Sequence, residues 1–427
     1  MRSITFAFVY LRHDPFTLTL VDVALVVVVA HLVGRLFGLM RQPPVIGEVI
    51  AGIALGPTLL GGASETLFPL DSRPLLKMLA TLGLVTFMFL VGLELETVHL
   101  EGRQRLAASV SVFGQALPFA LGLALATVLY SSHETGRFAP FALFIGSAMS
   151  ITALPVLVRI LREQGLHDKP LGVVVTASAA VGDLLAWTTL AAVVATVSSS
   201  GGWDLPYIVA TFSLFALIMF RVVGPWLRRF TDSEVTEGVL SLAMAGILTC
   251  SFITSAIGVH EVFGAFLLGI VFPRGALSQA LHARLSTVAY FLLPVFFVTS
   301  GLNVNLRSID AQGLWQLGLI LLVAFGGKVV GASVAARLHG LPRREAMAIG
   351  VLMNTRGLTE LVVLNIGLQL KVLDQELFSA LVVMAVVTTV ATGPLLALLK
   401  PDPYLRAAPS PRRGVVAPDP ATGETTA

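Results

Sequence analysis

Long apolar runs separated by short polar connections fill this chain from about residue 17 to residue 399. A run of about twenty apolar residues can cross the roughly 30 Å hydrocarbon layer as a helix, the element that pairs its own backbone groups where no water is present. The pattern predicts thirteen spans, at about residues 17–37, 43–61, 75–95, 107–130, 138–161, 171–197, 205–225, 236–256, 260–273, 285–303, 312–336, 344–370 and 375–399. The second and ninth are short and rich in Gly and Pro, so they are expected to be tilted, interrupted or sheltered by other helices. The expected class is an all-α polytopic membrane protein with one transmembrane domain over residues 17–399. Residues 1–16 form an extracytoplasmic segment without the small-residue cleavage pattern of a removable signal. The proline-rich residues 400–427 read as a disordered cytoplasmic tail.

Two of these runs contain helix breakers near their centres. The fifth holds Ser150, Ile151, Thr152, Ala153, Leu154 and Pro155, and the twelfth holds Asn354, Thr355, Arg356 and Gly357. Seven spans apart, they run in opposite directions. Paired interrupted helices in two halves point to a midplane transport site, because unwound backbone lines a cavity and presents helix ends to ions. Breakers are also common in membrane helices generally, so each interruption alone says less than the pair.

Composition and charge agree with this picture. The chain is 56% hydrophobic and 12% charged, with mean hydropathy +0.87, against about 25% charged for soluble domains. The net charge of +3 lies mostly at connections, which fits lipid headgroups and not nucleic acid. Connections after odd-numbered spans, together with the C-terminal stretch, hold most of the 28 Lys and Arg, among them Arg159, Arg162, Lys169, Arg221, Arg228 and Arg229. The positive-inside rule then puts the N-terminus outside and the C-terminus in the cytoplasm, and the expected location is the plasma membrane. The single Cys250 excludes an intrachain disulfide and a cysteine-based metal cluster. No Walker lysine loop, GxGxxG, GxSxG or HExxH occurs, so no cofactor, ATP-driven step or hydrolytic enzyme activity is expected.

Against this background one charge stands out. Asp183 lies in the middle of the apolar stretch Leu171 to Val197, where a charge costs roughly 2.5–3.5 kcal/mol on insertion scales. Burial favours its neutral acid and a bound cation favours its carboxylate, so one side chain can hold a proton or a metal ion in turn.

Six ordered motifs then identify a resemblance: RQPPVIGEVIAGIALGP (Arg41 to Pro57), FLVGLELE (Phe89 to Glu96), SITALPVLVRIL (Ser150 to Leu161), GVHEVFGAFLLGIVFP (Gly258 to Pro273), LLPVFFVTSGL (Leu292 to Leu302) and MNTRGLTELVVLNIG (Met353 to Gly367). From about residue 20 to 399 the chain resembles the monovalent cation:proton antiporter family, which includes bacterial sodium/proton exchangers, Kef-type potassium efflux systems and plant CHX exchangers. The resemblance implies thirteen helices in two inverted repeats, a dimerisation domain, and a core that moves across the membrane like an elevator. It implies that the two broken helices cross beside the acidic ion-binding helix, and Asp183 matches its carboxylate. Relatives commonly place Asn or Asp before that carboxylate. Here Gly182 stands there, which departs from the pattern that sets charge stoichiometry in the family; one carboxylate instead of two leans toward electroneutral exchange, unless Lys328 also gains and loses a proton. The resemblance also implies exchange of H+ for Na+ or K+ and a homodimer in the bilayer.

Thr152 is the expected second ligand, through hydroxyl or carbonyl oxygen. Ser150, Asn354 and Thr355 are supporting candidates, although Ser and Thr as often bond their own helix. Lys328, mid-span in LLVAFGGKVVGA, is expected to pair with the empty carboxylate, to offset a helix C-terminal end, to snorkel toward the interface, or to serve a fixed structural pair. Arg356 and Glu360, four apart, read as an ion pair steadying the crossing. Glu48 is expected to hold a core partner, Glu94 and Glu96 to be interfacial, and His260 with Glu261 to cap a short outer loop or sense pH. Two alternatives remain at this level: a gated K+ efflux pathway with Asp183 as a selectivity charge, and a cation or pH sensor that moves no ions.

Overall fold

The computed structural model describes residues 15–40, 42–69, 71–94, 103–133, 136–198, 204–230 and 236–400. Most of the expected N-terminal segment, Glu96 and the tail beyond Lys400 lie outside the described residues. The main helices are α1 (Pro15–Leu39), α2 (Pro44–Leu55), α3 (Arg73–Glu94), α4 (Gln104–Leu129), α5 (Phe138–Ser150), α6 (Leu154–Glu163), α7 (Pro170–Ser198), α8 (Asp204–Ile218), α9 (Glu237–Ile257), α10 (Val262–Val271), α11 (Ala276–Leu302), α12 (Ala311–Leu338), α13 (Arg343–Met353), α14 (Leu358–Gln369) and α15 (Gln375–Leu399). No strand occurs among the described residues.

Among the described residues, ten segments are long and apolar enough to cross a membrane, and the bent pair α13–α14 makes eleven. The expected thirteen spans are not reached by that measure. The second and ninth apolar runs fold as the shorter helices Pro44–Leu60, interrupted at Gly56, and Val262–Val271. At 1.5 Å per residue the ten-residue α10 covers about 15 Å, half the hydrocarbon thickness.

Helix order repeats along the chain. A long helix, a short apolar helix and a long helix (α1, α2, α3) are followed by a long helix, a broken pair and a long helix (α4, α5–α6, α7). After α8 the same order returns as α9, α10, α11 and then α12, α13–α14, α15. The two halves interleave. In one group α11 packs along α3 and α2, α10 along α3 and α9, and α1 along α2. In the other, α12 packs along α4, α13 and α15, while α4 also meets α5 and α7.

Glycine makes the closest crossings in the first group. A Cβ on Gly52 of α2 would run into the Val298 carbonyl oxygen of α11, and one on Gly301 into that of Val49; Gly92 of α3 and Gly269 of α10 face each other in the same reciprocal way. Small residues at such crossings let two backbones approach where lipid offers little hydrophobic drive for helix association. The two groups meet where α11 touches α14 and where Trp187 of α7 packs against the rings of Phe263 and Phe266 on α10.

Candidate functional site: a buried carboxylate at a helix crossing

Both interruptions have local causes. Pro155 near the start of α6 has no N–H with which to continue the helix from α5, and Ile151 and Ala153 adopt extended backbone. The second break, between Met353 and Leu358, bends α13 against α14 by 44°. The breaks then join directly, the Ala153 N–H donating to the Thr355 carbonyl at 2.9 Å.

Each broken helix leaves C-terminal carbonyls that carry the negative end of its dipole. Arg356 serves those of α5: its guanidinium donates to the Ala148 carbonyl at 2.7 Å, the Met149 carbonyl at 2.6 Å and Glu360 Oε2 at 2.8 Å. Thr389 of α15 brackets the same residue, accepting from its N–H at 3.0 Å and donating to its carbonyl at 2.9 Å. Lys328 serves α13 through one intermediary. Its Nζ donates to Thr152 Oγ1 at 2.6 Å, and that hydroxyl donates to the Met353 carbonyl at 2.9 Å. All of these side chains are buried.

Asp183, near the midpoint of α7, is 1% exposed. Its carboxylate faces a small enclosed space lined by Ile151 of the first break and by Thr359 and Val363 of α14, with Ala186 and Trp187 on its own helix. Both carboxylate oxygens are buried without a hydrogen-bond partner among the described residues, as are Asn354 Oδ1 and Nδ2, Thr359 Oγ1 and Glu360 Oε1. Lys328 is near enough for the two charges to interact, yet its ammonium is bonded to Thr152. Such a set of unpaired buried oxygens is rare in native structures. The Asp183 oxygens and the hydroxyl of Thr359, which lines the same space, suit a hard monovalent ion, which takes oxygen ligands, or a proton. Among the described residues no group of three or more His, Cys, Asp or Glu is placed to hold a resident metal.

The predicted site residues are thus brought together around one crossing, in different roles. Thr152 has its hydroxyl committed to Lys328 and Met353. Ser150 and Thr355 bond their own helices, donating to the Ser147 carbonyl at 2.8 Å and the Leu352 carbonyl at 2.7 Å. Asn354 Oδ1 and Nδ2 have no hydrogen-bond partner among the described residues. Sequence reasoning missed Thr359 as a neighbour of Asp183, although it lies in the quoted MNTRGLTELVVLNIG segment; it also missed Thr389.

The remaining candidates lie elsewhere. Glu48 feels the charge of Arg159, Glu94 pairs with His282 at 2.9 Å near the end of α3, and Cys250 is a buried free thiol. His260 lies 3.3 Å from Glu261 in a cavity between α3, α11 and α14.

A buried carboxylate between two broken helices is the arrangement of a secondary ion transporter. The profile described as sodium/hydrogen exchanger, transmembrane, matches residues 24–399, and the chain belongs to that family. The chain is 39% identical over 405 residues to the Na(+)/H(+) antiporter NhaS4 of Synechocystis, covering 91% of this chain and 99% of that one. It is 39% identical over 411 residues to cation/H(+) antiporter 20 of Arabidopsis thaliana, covering 90% and 49%. With the K(+)/H(+) antiporter 1 of Saccharomyces cerevisiae identity is 34% over 418 residues, covering 93% and 48%. This chain therefore spans about half the length of the plant and yeast relatives. The structure of the sodium proton antiporter MjNhaP1 from Methanocaldococcus jannaschii superposes with TM-score 0.62 at 14% identity, covering 91% of this chain and 95% of that one, a likeness of fold.

Proposed function

We propose that this protein is a secondary antiporter that exchanges protons for Na+ or K+ at Asp183. The observation that carries the reading is the Asp183 carboxylate, buried and unpartnered at the crossing. Ionised, it binds a desolvated cation with help from Thr359 and Asn354; neutral, it holds a proton. Because one site serves both, occupancy by one excludes the other, and the fluxes are coupled. The site belongs to the group built on α4 and α12 and lies beside α10 of the other group. Movement of one group against the other opens it to each side in turn, and the cargo biases which exposure is populated.

Lys328 and Arg356 stay committed to helix ends, so a single carboxylate carries one positive charge in each direction and exchange is electroneutral. The protein is read as a plasma-membrane homodimer with its N-terminus outside and its C-terminus in the cytoplasm, supported by the family resemblance and by the placement of Lys and Arg along the sequence.

Proteoliposomes carrying a pH dye, challenged with Na+ and K+ at zero and at imposed voltage, test the proposal. Wild-type protein is expected to exchange at a voltage-independent rate. Asp183→Asn, folded and inserted, is expected to lose exchange to background. Exchange by Asp183→Asn at the wild-type rate would overturn the reading, and cation current without proton counter-movement would favour a channel.

A further inference from the structure

Gln115 of α4 is more than nine-tenths buried. Its Nε2 donates to the Gly182 carbonyl on α7, the peptide unit that joins Gly182 to Asp183. Glycine makes the approach possible, since a Cβ at position 182 would lie 2.8 Å from that nitrogen and 3.5 Å from Ser111 Oγ. One helical turn before Gln115, Ser111 Oγ is itself buried without a hydrogen-bond partner among the described residues. Two polar groups of α4 thus converge on the residue preceding the ion carboxylate.

A buried amide needs a partner, so the bond contributes to structure in any case. Its place gives it a second consequence. The carbonyl it grips belongs to the peptide whose nitrogen is Asp183's own, so the bond fixes the rotation of α7 about its axis at that point. Rotation there would swing the carboxylate away from Ile151 and Thr359, the neighbours it has at the crossing.

We propose that Gln115 is a positioning residue for cation binding, holding the Gly182–Asp183 peptide so that the carboxylate faces the crossing, and that Gly182 is the matching small residue that admits it. This rests on Asp183 being the ion carboxylate. Gln115 acts only through that peptide, so its loss weakens cation binding more than turnover. Protons then compete better, and the pH of maximal exchange moves upward.

The test uses the full chain in proteoliposomes, with Na+ and K+ titrated separately. Gln115→Leu keeps the bulk and removes the donor. The expected result is an apparent KM raised roughly tenfold, the size of one hydrogen bond, with maximal rate within about twofold and the pH optimum about one unit more alkaline. Gly182→Ala, whose Cβ displaces the amide, is expected to act in the same direction. The double variant Gln115→Ala/Gly182→Ala is expected to raise KM no further than Gln115→Ala alone.

Wild-type KM and pH optimum in folded Gln115→Leu would overturn the proposal. So would multiplicative effects in the double variant, or a fall in rate and thermal stability with KM unchanged. If Gln115→Leu does not fold, Gln115→Ala and Gly182→Ala decide by the same criteria. Asp183→Asn is run in parallel: retained exchange there refutes the reading of Asp183, whereas lost exchange there with unmoved Gln115 variants refutes only the positioning role.

Discussion

Arg356 concentrates the energetics of the crossing in one side chain. It is fully buried, bonded to two carbonyls of α5 and to Glu360. Removing one member of a buried ion pair costs about 3–5 kcal/mol, because the other charge stays in place without compensation. Arg356→Ala is therefore expected to lower the thermal unfolding temperature steeply in detergent. Arg356→Leu/Glu360→Leu, which removes both charges, should recover part of the loss. The spacing of Arg356 and Glu360 made their pairing legible, since residues four apart share a helix face. The carbonyls of Ala148 and Met149 were not legible as partners, because they lie about two hundred residues away in sequence.

At the scale of elements, Pro155 and Gly357 marked both interruptions, and the structure adds the joint between them, Ala153 to Thr355. The glycine crossings show the opposite balance. Their Gly residues were visible as a composition, but the pairs Gly52 with Gly301 and Gly92 with Gly269 exist only through packing. Backbone cannot retreat as a flexible side chain does, so overpacking there costs about 1–3 kcal/mol. Gly301→Ala is expected to lower the unfolding temperature measurably, while Gly318→Ala, which meets nothing within 4 Å, should leave it unchanged or raise it slightly, because alanine loses less backbone freedom in a helix than glycine. Equal unfolding temperatures for the two variants would remove the crossing argument.

Across the whole molecule, a polar cluster near helix ends is one of the links between the two halves. His133, in the connection between α4 and α5, places Nδ1 2.6 Å from Asp374 Oδ2 at the start of α15 and Nε2 2.8 Å from Gln316 Oε1 of α12. Burial opposes the imidazolium, but the bonds to Asp374 and Gln316 outweigh it, and the pKa of His133 is raised above its ordinary 6.5. Burial likewise opposes the Asp374 carboxylate, but the bonds from His133 and from the Leu377 N–H outweigh it and lower its pKa below 3.8. The stability His133 contributes is thus fully present below about pH 6.5 and lost as pH rises through its folded value. That of Asp374 is present above about pH 4 and lost as pH falls through its folded value. His133→Gln is expected to destabilise the protein by about 1–2 kcal/mol at pH 6, toward the lower figure because Asp374 is 36% exposed. The difference from wild type should shrink at pH 9, and a pH-independent difference in unfolding temperature would exclude the charged clamp.

The sequence by itself determined the membrane class and the places where helices break, and it singled out Asp183 as a costly mid-span carboxylate, because apolar run length, proline chemistry and desolvation act locally. It also carried the family, through motifs spread along the chain. Tertiary structure alone decided which groups complete each helix end, that Lys328 reaches Thr152 and not Asp183, and that Thr359 and Gln115 stand near or behind that carboxylate. It also decided that two apolar runs fold as helices too short to count as full spans. Those outcomes depend on the direction and depth at which distant helices cross, and hydrophobic patterning fixes only which residues avoid water, not which of them meet.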